Sequence, residues 1–188
     1  REIKDLISYL KLIYNNKDDV SLMRIINSPK RGIGDKTLEN LRIEADNLGL
    51  SMYEVINKGK ELAFKEIIEY LKCESEKLSL TELVDLVLEK TGMKAELKKE
   101  NTVEAEARLE NLEEFKSITK SYEERYGIIS LGEFLEQISL VSDVSEYNDS
   151  NNLVTLMTVH AAKGLEFKYV FVIGMEEGIF PHYNSINE

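Results

Sequence analysis

Tryptophan is absent from this sequence, cysteine occurs once, and proline and histidine occur twice each. A lone cysteine, Cys73, excludes an internal disulfide and a thiolate metal cluster, and it suits a reducing compartment. The two histidines, His160 and His182, lack a partner spacing for a metal. With so few prolines, long stretches contain nothing to interrupt an intrahelical hydrogen-bond ladder. No apolar run approaches the roughly 20 residues needed to span a bilayer. The opening stretch REIKDLISYLKLIY is amphipathic and carries acids, unlike a signal peptide. No membrane partner is expected, and the default location is cytoplasmic. The chain begins at Arg1 rather than Met, so it reads as an excised piece of something longer.

What the sequence has in excess is acid. The formal net charge is -11, with 31% charged and 43% apolar residues. A body of that charge repels phosphate, so any polyanion has to be met locally. One stretch offers the means. From Arg24 to Arg42, the basic residues Arg24, Lys30, Arg31, Lys36 and Arg42 face only Asp35 and Glu39.

Apolar spacing of three and four predicts helices through most of the chain. Ile3, Leu6, Ile7, Leu10, Ile13 and Tyr14 define the first. A second, near 19–27, presents Val20, Met23 and Ile26, with Asp18 or Asp19 as its cap. Asp35 is placed to cap a third helix carrying Leu38, Leu41, Ala45 and Leu48, which Gly49 stops. Capping boxes mark later starts at Ser51 with Glu54, Ser79 with Glu82 and Ser130 with Glu133. Further helices are expected near 61–77 and 102–125, the latter burying Val103, Ala107, Leu112, Phe115, Ile118 and Tyr122. After the polar stretch SDVSEYNDSNN, residues 142–152, come two β-rich runs, LVTLMTV and YVFVIG. Runs with no polar face suit strands buried on both sides of a sheet, although two strands alone make no stable sheet. The expected fold is therefore mainly α: a helical bundle with a helix-hairpin-helix element, followed by a small partial α/β tail. The expected boundary lies near residue 150.

The turn SPKRGIGDKT, residues 28–37, carries the densest chemistry. A Gly-apolar-Gly loop between two short helices, here Gly32-Ile33-Gly34 with Ile26 before and Leu38 after, is the mark of a helix-hairpin-helix. Glycine at Gly32 and Gly34 allows a sharp reversal and a close approach to bare backbone. Ile33 would pin the turn into the core. The amides of residues 34–37 open the next helix, where unpaired N–H groups and the helix dipole favour an anion. Lys30, Arg31 and Lys36 add charge, and Thr37 adds a hydroxyl. Contacts of this kind read the phosphate backbone and tolerate any sequence. The alternative is a tight helix-helix turn with solvated charged flanks.

The stretch LMTVHAAKGLEFKYVFVIGMEEGIFPH, residues 156–182, is similar to motif V of the superfamily-one helicases, in their UvrD, Rep and PcrA branch. Thr158, His160, Lys163, Gly164, Leu165, Glu166 and Phe167 carry the match. REIKDLISYLKLI, RIINSPKRGIGDKTLENL and EARLENLEEFKS resemble the inserted helical subdomain 2B of the same proteins. The resemblance implies an ATP-dependent DNA helicase, using ATP and magnesium, built from two RecA-like motor domains. Residues 1–150 would be the 2B-like insertion, and residues 151–188 a partial 2A-like RecA segment. Glu166 and Gly164 would serve the nucleotide, with Glu166 on the ribose. Thr158, His160 and Lys163 would lie near single-stranded DNA, and the elbow at Gly32, Ile33 and Gly34 would grip duplex. Implied partners are duplex and single-stranded DNA, the remaining helicase domains, and repair or transcription proteins. No G-x-x-x-x-G-K-[ST] loop occurs, nor the Walker B acids or the arginine motif. The chain alone is expected to bind no cofactor and hydrolyse no ATP.

Other readings stay open. His160 also fits a structural histidine bonded to a loop carbonyl. Glu176 and Glu177 resemble a Walker B pair but lack its phosphate loop, and they read as structural or solvated. Cys73 reads as packing or chance. The acids of 100–149 suit a solvated helix face or a protein-partner surface. The rival function is a protein-interaction or autoinhibitory helical module without direct DNA binding. A related helicase-nuclease subunit is a third possibility, without a visible nuclease motif.

Overall fold

The computed structural model describes residues 1–127, 130–143, 154, 156–157, 162 and 167–176, including side chains except those of 139–143. Among the described residues nine α-helices follow one another: α1 Glu2–Tyr14, α2 Asp19–Ile25, α3 Asp35–Leu48, α4 Met52–Val55, α5 Gly59–Ser75, α6 Leu80–Lys90, α7 Met93–Glu100, α8 Val103–Tyr126 and α9 Leu131–Asp143. The chain divides into two compact units, Arg1–Glu146 and Tyr147–Glu188.

The first unit is built around α1, which packs against α2, α5, α6, α8 and α9. A helix surrounded in this way needs apolar residues beyond one stripe. Accordingly Leu6, Tyr9, Leu10, Leu12 and Ile13 are each at most 1% exposed. Phe64, Ile68 and Leu71 of α5 and Val84 and Val87 of α6 complete the centre of the core.

Local chemistry sets the helix starts. At Ser51 and Ser79 the serine oxygen accepts from the amide three residues on, while the glutamate there accepts from the serine amide. The same reciprocal pair forms between Ser130 and Glu133. Asp18 caps α2, accepting from the Ser21 amide at 3.0 Å and its hydroxyl at 2.6 Å. Asp19 instead accepts from the Met52 amide at 2.9 Å and ties α2 to α4. Asp35 does not cap α3. It is the first helical residue, and Gly34 occupies the cap position without a side-chain bond. Gly49 ends that helix at φ 64°.

Two expected stripes are corrected. In α2, Leu22, Ile25 and Ile26 are buried, while Val20 is 76% exposed and Met23 also faces out. Two turns of helix hold too few apolar residues to define a face by spacing. In α8 the buried residues are Ala105, Leu112, Phe115 and Thr119, while Val103, Ala107 and Ile118 are exposed. Small side chains at Ala105 and Thr119 allow close packing. Thr119 is tolerated inside because its hydroxyl bonds the Lys116 carbonyl at 2.7 Å and lies 3.2 Å from the Thr81 hydroxyl.

The expected α/β, RecA-like tail is also corrected. No strand occurs among the described residues, and the described secondary structure is helix alone. Tyr169, Val170, Phe171, Val172 and Ile173 are exposed, Phe171 at 90%. β propensity reports fit to a pleated, half-buried surface and not a backbone preference of its own. With no neighbouring strand among the described residues to bond and no face to cover it, this apolar run has nothing that makes it a strand.

Leu10, fully buried in α1, tests the central position of that helix. Leu10→Ala is expected to lower the unfolding free energy by about 2–5 kcal/mol, measured by urea denaturation.

Candidate nucleic-acid interface

The turn after α2 is an elbow held from inside. Ile26 and Ile33 are buried at 0% and 2% exposure and anchor its two ends. Between them the Asn27 side-chain oxygen accepts from the amides of Arg31 at 2.8 Å and Ile33 at 3.3 Å. An Asn oxygen closing a turn onto amides downstream is a local device that turn chemistry favours. Gly32 sits at φ 72°, a left-handed conformation that other residues rarely adopt.

Gly34 presents a different case. Its φ of -99° and ψ of 173° are ordinary extended backbone. A Cβ added there would meet nothing within 4 Å. The fold therefore leaves this position open to other side chains. What glycine preserves is a bare surface at the start of α3. The amides of Gly34, Asp35 and Lys36 have no hydrogen-bond partner among the described residues, whereas those of Thr37 and Leu38 bond the Gly34 carbonyl at 3.0 and 3.3 Å. The free amides sit at the positive end of a fourteen-residue helix, where an anion is stabilised. Lys36 and Lys30 are exposed, Thr37 is half-buried, and neither lysine has an ion-pair partner among the described residues. Two acids temper the field. Asp35 is exposed beside the free amides, and Glu96 accepts from the Lys30 amide at 3.2 Å.

Arg31 departs from the expected role of phosphate contact. Its guanidinium points inward and donates from one terminal nitrogen to the carbonyls of Ile25, Ile26 and Pro29, at 3.3, 3.4 and 3.0 Å. The other terminal nitrogen donates to the Tyr9 hydroxyl at 2.8 Å and the Thr91 carbonyl at 2.9 Å. The guanidinium carbon lies 5.3 Å from the Phe64 ring centre. Tyr9 in turn donates to the Ser28 carbonyl at 2.6 Å. The cation thus joins the ends of α2 and α6, where helix dipoles are negative, to the core faces of α1 and α5. A planar five-donor group can serve carbonyls on several sides, and an ammonium cannot.

Burial pushes the Tyr9 phenol up to about 12 from its usual 10, against the lowering effect of the Arg31 charge and hydrogen bond.

Sequence reasoning missed Asn27, Tyr9, Thr91 and Lys60 at this elbow. Asn27 carried a signal, an Asx residue opening a turn. Tyr9, Thr91 and Lys60 lie far along the chain, and only the fold brings them in. The Lys60 Nζ comes within 2.6 Å of where a Gly32 Cβ would stand.

The remaining expected site residues, Thr158, His160, Lys163, Gly164 and Glu166, lie outside the described residues, as does His182. Among the described residues no group of three or more His, Cys, Asp or Glu could hold a metal, and no helix is long and apolar enough to cross a membrane. Cys73 is exposed and so does not serve packing. Glu176 is exposed too.

Two outcomes test the Arg31 cage. Arg31→Lys is expected to cost on the order of 2 kcal/mol of stability in urea denaturation, because carbonyls lose their donors. A raised native pKa means stability present below pH 10 and lost as pH climbs through about 12. Tyr9→Phe should remove from alkaline denaturation curves a loss on the order of 2–3 kcal/mol.

Comparison with known proteins gives a consistent result. The family model described as the UvrD-like helicase C-terminal domain matches residues 1–188. The ATP-dependent DNA helicase PcrA of Staphylococcus aureus is 46% identical over 199 aligned residues, covering 99% of this chain and 27% of that protein. The protein of the same name from Staphylococcus epidermidis is also 46% identical, again over 99% of this chain and 27% of its own length. The chain thus spans about a quarter of the length of these relatives.

Proposed function

Because the chain belongs to the UvrD-like helicase C-terminal domain family, we propose that it is the part of an ATP-dependent DNA helicase that holds the duplex and carries motif V. The observation that carries the duplex reading is the bare start of α3. Gly34 leaves an open backbone surface that the fold itself does not require. Three amides without a partner among the described residues line it, with Lys30 and Lys36 exposed nearby. A phosphate accepts from such amides and is drawn by the two ammonium groups. Binding is weak, salt-sensitive and indifferent to base sequence, because the groups involved reach backbone and not base edges. Arg31 acts here from within, by fixing the turn, and Ile33 anchors it.

We likewise assign residues 1–150 to a 2B-like insertion and residues 151–188 to the motif V segment of subdomain 2A. Thr158, His160 and Lys163 are assigned to the single-stranded track, and Glu166 with Gly164 to the nucleotide. These roles rest on the family resemblance alone. ATP and magnesium belong to the whole helicase. No hydrolytic step is assigned to this chain, whose sequence carries no G-x-x-x-x-G-K-[ST] loop. Its partners would be DNA and the remaining domains of the helicase.

A second reading is a module that docks on protein. It is supported by Ile118 and Tyr126, exposed on the otherwise acidic α8. A titration with short duplex DNA at low and moderate salt separates the two.

Gly34→Ser gives the decisive variant. Serine is at least as good as glycine at a helix cap, so stability should stay within a few tenths of a kcal/mol. Its hydroxyl would also take an amide that a phosphate needs, and duplex affinity should fall several-fold by fluorescence anisotropy. Unchanged affinity would refute the elbow as the duplex contact. Phosphate-release assays on the chain alone with magnesium and ATP should give no turnover.

A further inference from the structure

We propose that Lys60, in the first turn of α5, is a third phosphate-contacting cation of the elbow. The inference rests on the duplex reading above and deepens it by completing the charge at that site. The turn that looks like a cluster of three cations in sequence presents only two of them, because the Arg31 guanidinium is spent on Tyr9, Thr91 and three carbonyls. Lys60 makes up the number from another part of the chain. Its Nζ stands 2.6 Å, and its Cε 3.7 Å, from the position of a Cβ on Gly32. The ammonium therefore rests on the face that glycine leaves bare.

Lys60 is exposed. Among the described residues it has neither a carboxylate within ion-pair distance nor a hydrogen-bond acceptor. Some lysines of this acidic protein pair, Lys94 with Glu113 at 2.6 Å, Lys116 with Asp85 at 2.6 Å and Lys77 with Glu74 at 2.7 Å. Among the described residues the elbow lysines Lys30, Lys36 and Lys60 make no ion pair, as is also true of Lys4, Lys98, Lys99 and Lys120. Lys30 and Lys36 flank the turn in sequence, and Lys60 lies over it from α5. An ammonium with three rotatable donors serves any phosphate oxygen within reach, so it adds affinity without base preference. Glycine at position 32 is required by its positive φ, since the end of the flexible Lys60 side chain can move aside.

The test is duplex binding by the whole chain as a function of salt, read by anisotropy of a fluorescein-labelled DNA duplex. Lys60→Gln, Lys30→Gln and Lys36→Gln are compared with Lys120→Gln, an exposed lysine on α8 as control. Removing one cation that neutralises a phosphate makes the slope of log affinity against log salt shallower by about 0.9. Lys60→Gln is expected to do this and to weaken binding several-fold near 0.1 M salt, with an unchanged urea midpoint. Lys60→Arg should restore both affinity and slope. If Lys30→Gln and Lys36→Gln flatten the slope while Lys60→Gln matches the Lys120→Gln control, the role of Lys60 is overturned and the duplex reading survives. If no elbow variant changes the slope, or the chain does not bind duplex, both fall together.

Discussion

A single half-buried guanidinium closes the elbow onto the rest of the helical unit. Among the described residues Arg31 has no carboxylate in its hydrogen-bond shell. It is held by carbonyls at the ends of α2 and α6, the Tyr9 hydroxyl and the ring of Phe64. Removing such a charge from water is costly unless its donors find acceptors. Here the acceptors are the orphan carbonyls that helix ends and tight turns leave over, so the cation and the turn satisfy each other. The turn carrying the candidate contact surface is thereby fixed to α1, the helix around which the first unit is built.

That arrangement divides the basic residues by task. Arg31 is structural, and so in part is Arg24, which pairs with Asp5 at 2.8 Å. Lys30 and Lys36 stay exposed, without an ion-pair partner among the described residues, and Lys60 lies over Gly32. In a protein of charge -11, cations left free at one turn set a local field opposite in sign to the total. Screening at physiological salt limits the reach of distant acids to roughly 8 Å. Charges at the elbow then outweigh the total. Backbone amides add donors that carry no formal charge and no side chain to reposition.

The sequence made the helical part of the fold legible wherever the signal was local. Ser51, Ser79 and Ser130 start helices because a hydroxyl and a glutamate three residues on settle the cap between themselves. Gly49 ends α3 through its own φ. The buried faces of α2 and α8 were less legible. In those helices Ala105 and Thr119 pack inside while Val20 and Val103 face water, so closeness of approach outweighed side-chain apolarity. At the elbow the glycines and Ile33 could be read directly. The inward turn of Arg31 could not, since its acceptors on Tyr9 and Thr91 are 22 and 60 residues away.

By itself the sequence determined the capped starts of α4, α6 and α9, the end of α3 at Gly49, the glycine elbow and the family, because caps, turns and motif spacing act over a few residues. Only the tertiary structure decided which cations remain free, which helix faces are buried, and that the β-rich run at 169–173 forms no strand. Those outcomes depend on partners brought together from distant positions, and a side chain's neighbours in space are set by packing, not by its neighbours in sequence.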